Sequence, residues 1–190
     1  MSTQQPLRTT RTPRASEIAA AARELLEERG RDELTMRALA ERLGIRAPSL
    51  YKHFRNKEAV EAALVEDALA EMGAVLHAAL AEAPAAGRVP ALLAAYRRHA
   101  LAHPGLYRLA TTGPLPRADL PGGLEEWAGS PFFLATGEPH LAQALWSSAH
   151  GMVLLELDRR YPEGSDLDRT WQAGARAFTA PGGRSALDVP

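Results

Sequence analysis

At 190 residues the chain has room for one large or two small domains with a substantial hydrophobic core, and its 46% hydrophobic and 24% charged residues exclude a disordered or fibrous chain. With no cysteine it can hold neither a disulfide framework nor a Cys-ligated zinc. No apolar run nears the roughly 18 residues of a membrane span and no signal-peptide core opens the sequence, so a cytoplasmic protein is expected.

The net charge of −1 conceals an asymmetry: residues 1–60 carry 12 Lys/Arg against 8 Asp/Glu, and the remainder carries 10 against 15. A basic first third joined to an acidic remainder suggests that only the first part meets a polyanion.

Residues 1–14 are polar and punctuated by proline, with Arg8, Arg11 and Arg14 evenly spaced. They read as a disordered basic arm, a solvated tail in preference to an arm laid in a minor groove. From Ala15 the pattern turns helical, with Ile18, Ala22, Leu25 and Leu26 on one face and Gly30 as a left-handed stop. Thr35 can cap a second helix whose Met36, Leu39, Ala40 and Leu43 form one stripe, ended by Gly44. After Ile45 a short third helix is predicted from Arg46 to Phe54, with Pro48 near its first turn. Asn56 then caps a long fourth helix to about Ala83.

Beyond a break from Pro84 to Pro90, helices are predicted over Ala91 to Ala102 and His103 to Ala110. A Pro/Gly-rich loop at 111–123 precedes a helix from Leu124 to Ala135, interrupted by Pro131. A strongly apolar helix follows from Pro139 to about Arg160. Ser165 with Asp168 resembles a capping box opening a last helix to about Ala180. No stretch alternates as a strand would, so the expected fold is all-α, with about nine helices.

The informative segment is Thr35 to Lys57, TMRALAERLGIRAPSLYKHFRNK. Two short helices meeting at Gly44, with Ile45 plugging the corner, make a helix-turn-helix, whose second helix presents its N-terminus to a major groove. Leu39, Ala40, Ile45, Leu50 and Phe54 are expected to be buried. Arg46, Ala47, Ser49, Tyr51, Lys52 and His53 remain to touch DNA.

With the first helix, this segment resembles the tetracycline-repressor (TetR) family of regulators over about residues 15–64, including the LY-x-H-F pattern and the Asn56–Lys57 entry to the fourth helix. The resemblance implies that Thr35 and Arg37 lie near phosphate, and that Arg46, Ala47, Ser49 and Leu50 face the groove. Tyr51 and His53 then reach the backbone or adjoining bases, and Lys57 pairs with phosphate. Arg46 suits a bidentate contact to guanine. The division implied is an arm at 1–14, a DNA-binding domain at 15–61, a ligand-binding and dimerisation domain at 62–182 and a tail at 183–190.

Past about residue 65 no catalytic or metal constellation is found, and no cofactor is expected. A helical hydrolase would need Ser147 or Ser148 to work with His150, but adjacent helical positions do not face one another. The region offers instead apolar and aromatic groups, Met72, Leu76, Tyr96, Leu106, Tyr107, Trp127, Phe133, Trp146 and His150, suited to a pocket for a small-molecule effector, with the 111–123 loop as a gate. Trp146, His150 and Gly151 also resemble the Trp…His-Gly helix of one C-terminal subtype of the family, and Gly151 predicts close approach by another helix. The last two helices, apolar on more than one side, are where members of the family pair as homodimers. The reading is a ligand-responsive repressor on a palindromic operator; a sequence-specific regulator without a ligand is the alternative.

Overall fold

Thr12 begins the helical chain. Its hydroxyl accepts the amide of Ala15 at 3.2 Å, and Pro13 fills the first turn, where its missing N–H leaves no bond unmade. The computed structural model describes residues 4–179 and is all-helical over them, with nine α-helices. They are α1 (Pro13–Arg29), α2 (Met36–Arg42), α3 (Ala47–Leu50), α4 (Lys57–Glu82), α5 (Arg88–Ala102), α6 (Pro104–Thr111), α7 (Leu124–Thr136), α8 (Pro139–Leu157) and α9 (Leu167–Thr179). The tail expected at 183–190 lies outside the described residues.

The described chain forms two compact units. One runs to Ala74 and resumes over Ala100–Ala128; the other takes Val75–His99 and the chain from Gly129 onward. In the first unit Ile18, Leu25, Leu39, Leu50, Leu64 and Leu106 make a dry core, each at most 1% exposed. The contribution of α6 follows from its amphipathicity: Leu106 and Leu109 share a face and are buried together. Its first turn is held by Glu27 of α1, whose carboxylate accepts the amides of Gly105 and Leu106 at 2.8 and 2.9 Å. Farther along α4, Gly73 permits a contact that no other residue could, since an added Cβ would lie 2.4 Å from Cζ3 of Trp127.

Three expectations are corrected here. The arm is not free: Thr9 donates its amide to Glu66 at 2.8 Å, and Arg11 reaches Asp67 at 2.7 Å and the Ala63 carbonyl at 2.8 Å. Glu66 is only 3% exposed, and a carboxylate so buried draws in whatever cations the chain can bring. Pro131 does not interrupt α7, because Trp127, Ala128 and Phe132 are buried on either side and their packing outweighs the lost amide bond. The last helix is capped by Asp166, which accepts the amide of Arg169 at 3.0 Å, whereas the Ser165 hydroxyl turns back to Pro162.

In the second unit α8 buries the row Ala142, Leu145, Ala149 and Val153. Glu156 gathers α5 and α9 onto α8, accepting from Arg97 at 2.7 Å and from the Trp171 indole at 2.9 Å. Asp168 takes a further bond from Arg97 at 2.6 Å, and the Arg97 guanidinium lies over the Trp171 ring.

Candidate nucleic-acid interface

The corner between α2 and α3 is built by small and left-handed residues. Ala40 is 4% exposed and accepts the amide of Ile45 at 3.0 Å, and Gly44 sits at φ 64°, a conformation that a Cβ disfavours. Thr35 caps α2 as expected, accepting the amide of Ala38 at 3.1 Å. Leu39, Ala40, Leu50 and Phe54 are buried and Ile45 is half-buried. These contacts fix α3 against α1, α2 and α4.

What this packing leaves outside is a cationic and aromatic surface. Thr35, Arg37, Arg46, Tyr51, Lys52 and His53 are exposed, Tyr51 at 53%, while Ala47 and Ser49 are half-buried. All ten residues expected at DNA lie on the first unit, and all but one keep some exposed surface. The exception is Leu50, which is 0% exposed and carries α3 on the core, so it has no surface to offer a groove. The α3 helix proper is only four residues long, and the bonds from His53 and Phe54 to the Leu50 carbonyl, at 2.9 and 3.0 Å, extend it by a further turn.

Lys57 is half-buried and already engaged. Its ammonium donates to the Arg31 carbonyl at 2.9 Å and lies 3.5 Å from Glu61. Arg31 grips the same carboxylate through two nitrogens, at 3.1 and 2.8 Å. Burial alone would push the Glu61 carboxyl up, but Arg31 and then Lys57 outweigh it and hold Glu61 below the ordinary carboxylate range. A further clamp joins α2 to α1, where Arg42 pairs with Glu24 and Glu28. On α2 itself Arg37 pairs with Glu41 at 3.0 Å. Of these pairs only Lys57–Glu61 and Arg37–Glu41, both helical i,i+4 pairs, are visible in sequence.

The residues expected at an effector pocket divide between the units. Met72, Leu106, Tyr107 and Trp127 belong to the first, and Leu76, Tyr96, Phe133, Trp146 and His150 to the second. Leu76, Tyr96, Leu106, Tyr107 and Trp127 are buried. Trp146 is neither core nor enclosed: it lies off the buried row of α8, is 46% exposed, and stacks on His150 with ring centroids 5.9 Å apart. Burial holds the His150 imidazole below its ordinary pKa. A Cβ added at Gly151 would meet no other part of the described chain within 4 Å, so the close helix approach expected there is not made on that side. In the 111–123 loop, expected as a gate, Leu115 and Leu120 pack against the core of the first unit. Sequence reading missed two arrangements in the second unit: Tyr96 meets Phe132 edge-on at 5.6 Å, and the buried Ser130 hydroxyl lies 3.3 Å from Nε2 of His77.

Residues 18–64 match the family model for bacterial regulatory proteins of the tetR family, and residues 89–178 match the model for a tetracyclin repressor-like C-terminal domain. The class A tetracycline repressor protein of Escherichia coli is 57% identical over 54 residues, which is 28% of this chain and 25% of that protein. The chain therefore matches only about a quarter of that relative's length. An uncharacterized HTH-type transcriptional regulator of Mycobacterium tuberculosis is 32% identical over 149 residues, covering 74% of this chain and 68% of the relative. Among solved structures, a TetR variant from Acinetobacter baumannii AYE in complex with minocycline is 27% identical and superposes with a TM-score of 0.60, over 87% of this chain and 93% of that one. No helix among the described residues is long and apolar enough to cross a membrane. A helix-turn-helix with an outward cationic face, matched over both parts of the chain by family models, makes this protein a member of the TetR family of DNA-binding transcriptional regulators.

Proposed function

We propose that the protein is a cytoplasmic, homodimeric repressor that holds a near-palindromic operator and is released by a small, largely apolar molecule. The observation that carries this reading is the exposure of Arg46, Tyr51, Lys52 and His53 around a Leu50 anchored in the core. Arg46, Ala47 and Ser49 would read base edges, while Thr35, Arg37, Tyr51, Lys52, His53 and Lys57 would fix register on the phosphates. The functional division follows the same lines, with the DNA-contacting part at 15–61 and the effector and pairing part at 62–182.

Pairing is supported by α8, which leaves Leu141 and Leu155 exposed on the same side as the open position at Gly151. Apolar groups and a glycine facing outward together suit close approach by the same helix of a second copy. A small-molecule effector is supported by the minocycline bound to the related Acinetobacter protein. The full burial of Leu76 and Tyr96, at 0% and 2% exposure, instead favours the second reading, a regulator that answers to no small molecule.

Selection of duplexes from a random pool by the purified protein tests the first claim. A near-palindromic site recovered with two dyad-related halves is the expected result; enrichment of no sequence overturns it. A screen of apolar compounds for release of the selected duplex then separates the two readings.

A further inference from the structure

We propose that Arg55 is an additional phosphate contact, and that Asp119 holds its guanidinium in reserve until a duplex is met. The inference rests on the DNA-binding reading above and adds a residue and a control to it. Arg55 lies in the turn between α3 and α4, two residues after His53 and two before Lys57. Within that turn Phe54 goes into the core at 8% exposure, which leaves the Arg55 side chain outside at 70%. An exposed guanidinium flanked by Lys52, His53 and Lys57 is suited to a phosphodiester oxygen, which its planar donors match in geometry and charge.

In the free protein Arg55 donates instead to Asp119, at 3.0 Å. The two are 64 residues apart, so the carboxylate is delivered by folding rather than by local geometry. Asp119 closes a 3₁₀ turn (Arg117–Asp119) in the loop after α6. That loop is seated by Leu115 and Leu120 on the core, and Arg117 ties it to Glu125 of α7 at 2.6 Å. The Arg55–Asp119 pair is exposed at both partners, 70% and 44%, and so is weak enough to exchange for a phosphate at little cost.

Binding of the whole protein to its selected operator and to an unrelated duplex, across a salt series, tests this. Arg55→Ala should weaken both duplexes by the same several-fold factor and reduce the slope of log K against log salt by about 0.9, the value for one phosphate contact. Arg55→Lys should keep the slope. Asp119→Asn should tighten binding several-fold at the wild-type slope, and at least half of that gain should vanish in the Arg55→Ala background. A slope indifferent to Arg55→Ala overturns the proposal. So does an Asp119→Asn gain of equal size in both backgrounds, which would make Asp119 a simple repulsive charge. Wild-type protein that binds neither duplex would instead defeat the DNA-binding reading itself.

Discussion

Lys57 donates its ammonium to the backbone carbonyl of Arg31 at 2.9 Å, tying the first residue of α4 to the turn after α1. The lysine therefore has a structural role inside the fold alongside the phosphate contact proposed for it. Lys57→Ala is expected to weaken every duplex by a similar factor and to lower the salt slope by about 0.9. It should also lower the melting midpoint of the free protein, which a lysine engaged only with DNA would leave alone. Salt-dependent gel shifts and thermal melts of the same variant read the two effects separately.

Arg46 should behave differently. Its side chain is exposed and it opens α3 with no side-chain capping bond, so nothing in the fold occupies its guanidinium. Arg46→Ala should leave the melting midpoint unchanged and erase preference at one base pair per half-site, a loss of roughly 1–3 kcal/mol of discrimination. Uniform weakening across all sequences would instead place Arg46 among the phosphate contacts. Repeating the duplex selection with the variant reads this directly.

Leu50 and Tyr51 are neighbours in sequence with opposite fates, 0% and 53% exposed. Leu50→Ala should destabilise the protein by about 2–5 kcal/mol through an unfilled space in the core, and DNA binding should fall with folding. Tyr51→Phe should melt as the wild type does, whatever its effect on DNA. Equal melting of both variants would show that α3 is not anchored as described.

Glu61 is held below the ordinary carboxylate pKa by Arg31 and Lys57 against the opposing effect of burial. A carboxylate lowered in the folded state stabilises it fully above the unfolded value, about 4.3, and that contribution is lost as pH falls through the lower folded value. Melting midpoints measured from pH 7 to pH 3 should thus drop less steeply below pH 4.3 in Glu61→Gln than in the wild type, from a lower starting point at pH 7. An unchanged acid slope would show that Glu61 is not paired in solution.

Gly73 and Trp127 can be tested as a pair. With 2.4 Å between an added Cβ and the indole, Gly73→Ala should cost about 1–3 kcal/mol by overpacking. Trp127→Leu should recover part of that loss in the double variant, although it is destabilising alone. Additive losses by denaturant titration would show that the two residues do not touch.

Much of the architecture was legible because its signals are local. The caps at Thr35 and Asn56, the stop at Gly44 and the apolar stripes of α1 and α2 each follow from neighbours within a few residues, and each recurs in the structure. The helix-turn-helix was equally readable, since its corner, its buried leucines and its exposed polar residues fall in one continuous segment.

Tertiary structure alone decided which charges meet. Arg11 with Asp67, Arg31 with Glu61, Arg97 with Glu156 and Arg55 with Asp119 join residues 30 to 64 positions apart, and no periodicity announces such pairs. It decided also that the 111–123 loop lies on the core of the first unit, because the burial of Leu115 and Leu120 depends on a surface assembled from distant helices. A linear chain declares which face of a helix is apolar. What that face will meet is set only when the backbone has folded and the competing partners are in reach.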